Sequence, residues 1–210
     1  MSSQKRRYEL RRRAEQQEQT RRRIVEATVA LHQEVGPAQT TVAEIARRAG
    51  VSRLTVYNHF PLEQELLAAC QRSFLTDHPL PDLAPALALK DPRARVEAAL
   101  QTLYESYRDR EPMTNNILRD RSALPALDQL LRQTMDAGQA QLTGALAVSF
   151  DARGNKAKRL RALIRLALDF STWQRLKREG LDDASAAKLM ADLAACTAHP
   201  DAPHPRRNKR

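Results

Sequence analysis

"TVAEIARRAGVSRLTVYNHF", residues 41–60, decides how the rest of the chain is read. Gly50 separates two segments whose apolar residues recur at helical spacing. Ile45, Ala46 and Ala49 give the first an inner face, and Val51 and Val56 continue it past the glycine. Thr41 can cap the first helix, and Glu44, three residues on, can reach back to complete a capping box. Ser52 can cap the second. Ala46 is small where the helices would cross, and Gly50 accepts the backbone of a tight turn. The second helix is too polar for a core element. It offers Ser52, Arg53, Leu54, Thr55, Tyr57, Asn58 and His59 on or near its open face. Arg suits guanine edges, Asn suits adenine edges, and hydroxyls suit bases or phosphates. The pattern predicts a helix-turn-helix with its second helix in a major groove. A helical hairpin inside an ordinary bundle is the plain alternative.

The flanks support a three-helix head. From about Thr20, Ile24, Ala27, Leu31 and Val35 form a stripe that Gly36-Pro37 ends. Pro61 allows a fourth helix with Leu66, Leu67 and Cys70 inside. Ala, Leu, Arg and Gln abound and β-branched and aromatic residues are few, so the 210-residue chain is expected to be all-α.

The net charge of +10 is uneven. Residues 1–23 carry nine Lys/Arg against three Glu, and residues 201–210 carry four against Asp201. The body between is close to neutral. Basic ends suit a polyanion, although solubilising ends have the same composition, and the tail at 201–210 is read that way. Cys70 and Cys196 sit among Ala and Leu and are expected to be buried, in a reducing compartment. No apolar run reaches membrane-spanning length, and the basic start lacks the apolar core of a secretory signal. Cytoplasmic localisation is the expectation. Phosphate-binding glycine loops, metal-ligand spacings and nucleophile motifs are missing from the sequence, so neither catalysis nor a cofactor is expected.

Residues 77–92 hold Pro79, Pro81, Pro85 and Pro92 and are expected to be a broken connection. Beyond it, Val96, Ala99, Leu100, Leu103, Tyr104 and Tyr107 make one stripe that Pro112 should stop. A short segment at 113–121 and helices at about 125–150, 155–179 and 183–198 should follow, the last with Ala186, Met190, Leu193, Ala194 and Thr197 inward. The expected domains are a basic arm (1–19), a DNA-binding head (20–67), a helical effector and dimerisation domain (68–200) and a disordered tail (201–210). Tyr104, Tyr107, Met113, Asn116, Phe170 and Trp173 could line a small-molecule pocket, or be plain core.

The stretch from Arg22 to Leu67 resembles the DNA-binding domain of TetR-type (tetracycline-repressor-like) transcriptional regulators. Ile24, Ala27, Leu31, Gly36 and the two runs "TVAEIARRAGVS" and "TVYNHF" carry the likeness. It implies a dimer that binds a near-palindromic operator, and most members repress. It implies phosphate contacts by Thr41 and Ser52 at their helix starts and by Tyr57 and His59. It implies base contacts by Arg53, Leu54, Thr55 and Asn58. It also implies dimerisation through the last two long helices. His59 could instead be a half-buried cap, and Tyr57 could brace the head. An activator on the same fold and a sequence-indifferent DNA binder are the alternatives.

One position departs from the family pattern. The Lys usual near the start of the fourth helix is Glu63 here. The basic arm could supply the phosphate or minor-groove contacts that Glu63 cannot, through Arg11, Arg12, Arg13, Arg21 and Arg22. A solvated helical extension is the other reading of "LRRRAEQQEQTRRR". If the arm binds, deleting residues 1–19 weakens DNA binding and flattens its salt dependence. Titrations of the full and shortened chains across a salt series check this, and identical affinities and slopes refute it.

Overall fold

A computed structural model describes residues 2–198, and every element among them is helical. The basic tail expected at 201–210 lies outside the described residues. Two compact units emerge. The first takes the chain up to Pro79 and Arg110–Gln133, and the second takes Leu80–Asp109 and the chain from Thr134 onward.

In the first unit, α1 (Ser2–Glu34) precedes α2 (Val42–Ala49), α3 (Arg53–His59) and α4 (Glu63–Asp77). Ile24, Ala27 and Leu31 of α1 are buried against Ile45, Ala46 and Ala49 of α2, Val56 of α3 and Cys70 of α4. Burial pushes the Cys70 thiol up to about 12, so it stays a neutral core residue. The lead-in before the amphipathic stripe is helical too, as the helical-extension reading had it. It continues back to Ser2, because Arg, Gln, Glu, Leu and Ala favour helix and no Gly or Pro interrupts them.

Side chains from the end of α6 (Pro92–Asp120) close the C-terminus of α1. Asn116 Nδ2 donates to the His32 and Gln33 carbonyls at 3.0 and 2.9 Å. Arg119 Nη2 donates to the Val35 carbonyl at 2.8 Å. The Asp120 carboxylate accepts from Ala38 N at 3.0 Å and from Arg119 Nε at 2.7 Å. These groups satisfy carbonyls that every helix end leaves open, and the Arg charge suits the negative end of the helix dipole. Gly36 is needed here: its φ is +92°, and a Cβ would run into the Arg119 guanidinium and the Asp120 carboxyl. Val35, expected in the α1 stripe, is 39% exposed, because the helix ends just before it.

The remaining elements are α5 (Ala84–Leu87), α7 (Pro125–Leu131), α8 (Ala137–Ala147), α9 (Gly154–Ala167), α10 (Phe170–Arg178) and α11 (Asp183–Ala198). Four expectations are corrected. Pro112 does not stop its helix: α6 passes through it. Pro112 and Arg108, whose carbonyl loses its donor, are both exposed, so water can take the bond. The helix expected over 155–179 is broken at Leu168-Asp169, where the Asp169 carboxylate caps α10 by accepting from Ser171 N at 2.8 Å. Leu193 faces out at 44% exposed, since the buried stripe of α11 runs through Ala187, Met190, Ala191 and Ala194. Cys196 is exposed on the same outer side.

The break after α9 has partners within the second unit. Tyr104 Oη donates to the Ala167 carbonyl at 2.8 Å and Tyr107 Oη to the Leu168 carbonyl at 2.6 Å. Trp173 Nε1 donates to Asp183 at 2.9 Å. The rings of Tyr107, Phe170 and Trp173 meet edge to face or tilted, 5.4–5.8 Å apart. Burial also pushes the Tyr104 phenol up, so it remains a donor.

His32 gives the first unit a pH dependence. It is 6% exposed, and burial lowers its imidazole from 6.5 to about 4, with Asp120 pulling weakly the other way. A depressed His favours the neutral form when folded, so its contribution is complete above pH 6.5 and lost as pH falls towards 4. The full loss is about 3 kcal/mol. Denaturant unfolding between pH 7 and 4.5 should show falling stability in the parent and a flatter line in His32→Gln.

Candidate nucleic-acid interface

The turn between α2 and α3 follows from local chemistry. Gly50 takes the left-handed conformation, φ +65°, and ends α2. Val51 N donates to the Ala46 carbonyl at 3.0 Å and Gly50 N to the Arg47 carbonyl at 3.3 Å, a Schellman closure. Thr41 Oγ1 caps α2 by accepting from Glu44 N at 3.2 Å. The capping box is only half made, because the Glu44 carboxylate turns to Arg47 at 2.6 Å instead. Ser52 Oγ caps α3 by accepting from Thr55 N at 3.1 Å.

Val56 anchors α3 in the core at 1% exposed, which leaves the other residues outward. Leu54 is 68% and Tyr57 54% exposed. They stand three residues apart, on one side of α3. Ser52, Arg53 and Asn58 are exposed beside them, while Thr55 and His59 are half-buried. The Thr55 hydroxyl is within 2.8 Å of Ser52 Oγ. Arg53 makes no ion pair among the described residues, whereas Arg48 is held by Glu34 at 2.8 Å. Thr41 is exposed at the start of α2. The eight residues expected from sequence therefore lie on one helix pair, seven of them on α3 or its cap.

The far end of α3 is fastened by a residue that the sequence had suggested for the arm. Arg21 Nη1 donates to the His59 carbonyl at 3.0 Å, and its guanidinium lies 4.1 Å from the Phe60 ring centre. Arg21 is thus tied to the recognition helix as a C-terminal brace. Of the other arm candidates, Arg11 pairs with Glu15 at 2.9 Å, and Arg12, Arg13 and Arg22 are exposed. Glu63 opens α4 and is exposed, where an acid suits the helix dipole. An open cleft of about 460 Å³ lies between α1 and α3, lined by Ala14, Gln17, Glu18, Arg21, Thr55, Asn58 and His59. Sequence reasoning missed this cleft, because it forms only where α1 lies beside α3, whose lining residues are more than thirty positions away.

The six residues suggested for an effector pocket divide between the two units. Tyr104, Tyr107, Phe170 and Trp173 form the packed cluster of the second unit, while Met113 and Asn116 belong to the first. Asn116 holds the end of α1. No helix among the described residues is long and apolar enough to cross a membrane, and none of their His, Cys, Asp and Glu side chains cluster as metal ligands.

Comparison with known proteins agrees with this geometry. Residues 24–70 match the family "Bacterial regulatory proteins, tetR family". The chain is 38% identical over 81 residues to the HTH-type transcriptional regulator BetI of Yersinia pestis, covering 37% of this chain and 40% of that protein. It is 40% identical over 83 residues to BetI 2 of Chromohalobacter salexigens, covering 39% and 40%. The matches thus span about 40% of the length of these curated relatives. In fold, a TetR-like transcriptional regulator from Rhodococcus sp. RHA1 superposes with a TM-score of 0.59 at 22% identity, over 84% of this chain and 94% of that one. The helix pair, its exposed outer face and these matches identify residues 24–70 as a helix-turn-helix DNA-binding domain of the tetR family.

Proposed function

We propose that the protein is a dimeric repressor that binds a near-palindromic operator and is released by a small-molecule effector. The observation that carries the operator reading is α3, capped by Ser52 at one end and braced by Arg21 at the other, with Arg53, Leu54, Tyr57 and Asn58 turned to solvent. A helix held this way loses little further freedom when it enters a groove. Thr41, Ser52, Tyr57 and His59 are assigned to phosphates, and Arg53, Leu54, Thr55 and Asn58 to bases.

Dimerisation is assigned to α9 and α11. Both pack into the second unit by one face and leave Leu166, Leu189 and Leu193 40–54% exposed. Leu189, Leu193 and Cys196 recur at i, i+4 and i+7, which makes a stripe that a second copy could cover. The effector is assigned to the second unit, where its entry would have to part the Tyr104 and Tyr107 hydrogen bonds at the α9 break. A ligand acts on the operator only through a difference in its affinity for the bound and released states.

Selection of bound fragments from a random DNA pool, followed by footprinting, tests the central claim. The expected product is an inverted repeat, and a reporter with that site laid across its promoter should be silenced. No enriched sequence, with binding that vanishes as salt rises, would mean a sequence-indifferent binder. Activation of the reporter would keep the fold and reverse the sign. On the recovered site, Arg53→Ala and Asn58→Ala should each cost about 1–3 kcal/mol and relax preference at one base position per half-site. Uniform weakening across all sequences would reassign those residues to phosphate.

A further inference from the structure

The arm is a rod, not a tail. Residues before Thr20 continue α1 and are exposed wherever their side chains are described. At 1.5 Å per residue, this polar extension runs roughly 27 Å from the head. This stretch leaves Tyr8 67% and Leu10 59% exposed and buries no face against the head, so its length does not serve the core.

The cleft says which side of the rod matters. Its α1 wall is Ala14, Gln17, Glu18 and Arg21, spaced i, i+3, i+4 and i+7. Followed towards the N-terminus, that stripe meets Leu10 and then Arg7, with Arg6 and Arg13 on its flank. Arg12 falls on the opposite face. Arg6, Arg7 and Arg13 are exposed and make no ion pair among the described residues. Glu18 is the one acid lining the cleft. The opposite wall is α3 itself, through Thr55, Asn58 and His59, so whatever enters the cleft continues the recognition surface.

We propose that the N-terminal half of α1 is a second DNA-contacting element. One sugar-phosphate strand of the operator passes through the cleft beside α3, and Arg6, Arg7 and Arg13 neutralise its phosphates while Arg12 faces away. This assignment rests on the reading of the chain as an operator-binding regulator. It also offsets Glu63 at the start of α4, where an acid repels phosphate. The occupant is a polyanionic strand because Arg6, Arg7 and Arg13 outnumber Glu18, the one acid lining the cleft, and because the face is continuous with the recognition helix.

Two substitutions of equal charge separate the faces: Arg7→Gln and Arg12→Gln in the full-length chain. Both keep helix propensity. The probe is the duplex recovered by selection, titrated across a salt series. Arg7→Gln should lower the slope of log affinity against log salt by about one, and Arg6→Gln/Arg7→Gln/Arg13→Gln by about two to three. Arg12→Gln should leave the slope unchanged. Hydroxyl-radical footprints should lose protection of the strand flanking the α3 contacts in the triple variant and keep the rest. Equal losses for Arg7→Gln and Arg12→Gln, or no loss for either, would overturn the faced rod while leaving the regulator intact. A selection that enriches no site would overturn both readings.

Discussion

Gly50 sets where the recognition helix points. Its left-handed backbone lets Val51 N and Gly50 N close the end of α2, and the chain then reverses into Ser52 with no slack. A residue with a Cβ would be strained at φ +65°. Everything functional in the head inherits this turn. Val56 reaches the core only from that entry angle, and once Val56 is buried, the helical period forces Arg53, Leu54, Tyr57 and Asn58 outward. Arg21 then fixes the other end through the His59 carbonyl.

A second constraint acts at the opposite end of α1. The helix would leave open carbonyls there, and Asn116 and Arg119 of α6 fill them. The clasp is polar, closely packed around Gly36, and includes the buried neutral His32 beside Asp120. Burying an ionisable group is costly unless it is neutral or paired. Here the imidazole is neutral and the carboxylate is paired with Arg119. The stability of the head therefore depends on residues some eighty positions further along the chain.

Local chemistry was legible without coordinates. The caps at Thr41 and Ser52, the Gly50 turn, the core positions of α2 and α3 and the all-α class each rest on residues a few positions apart. The errors came where local rules compete with tertiary ones. Pro112 reads as a stop, yet on the exposed side of α6 the lost bond can go to water. The 155–179 stripe reads as one helix, yet the Tyr104 and Tyr107 hydroxyls take the carbonyls freed by a break that Asp169 caps. Leu193 fits an inner face by hydrophobicity, but the small residues of α11 are the ones that pack inside.

The sequence by itself determined the helix-turn-helix, its polar outward face and the basic arm, because those depend on spacing within one or two turns. Tertiary structure alone decided that Arg21 braces α3 and that Asn116 is a helix clasp. It also decided which face of the arm borders a cleft with α3. Those outcomes join residues 38 to 84 positions apart, and no local periodicity encodes which distant carbonyl or ring a side chain will meet.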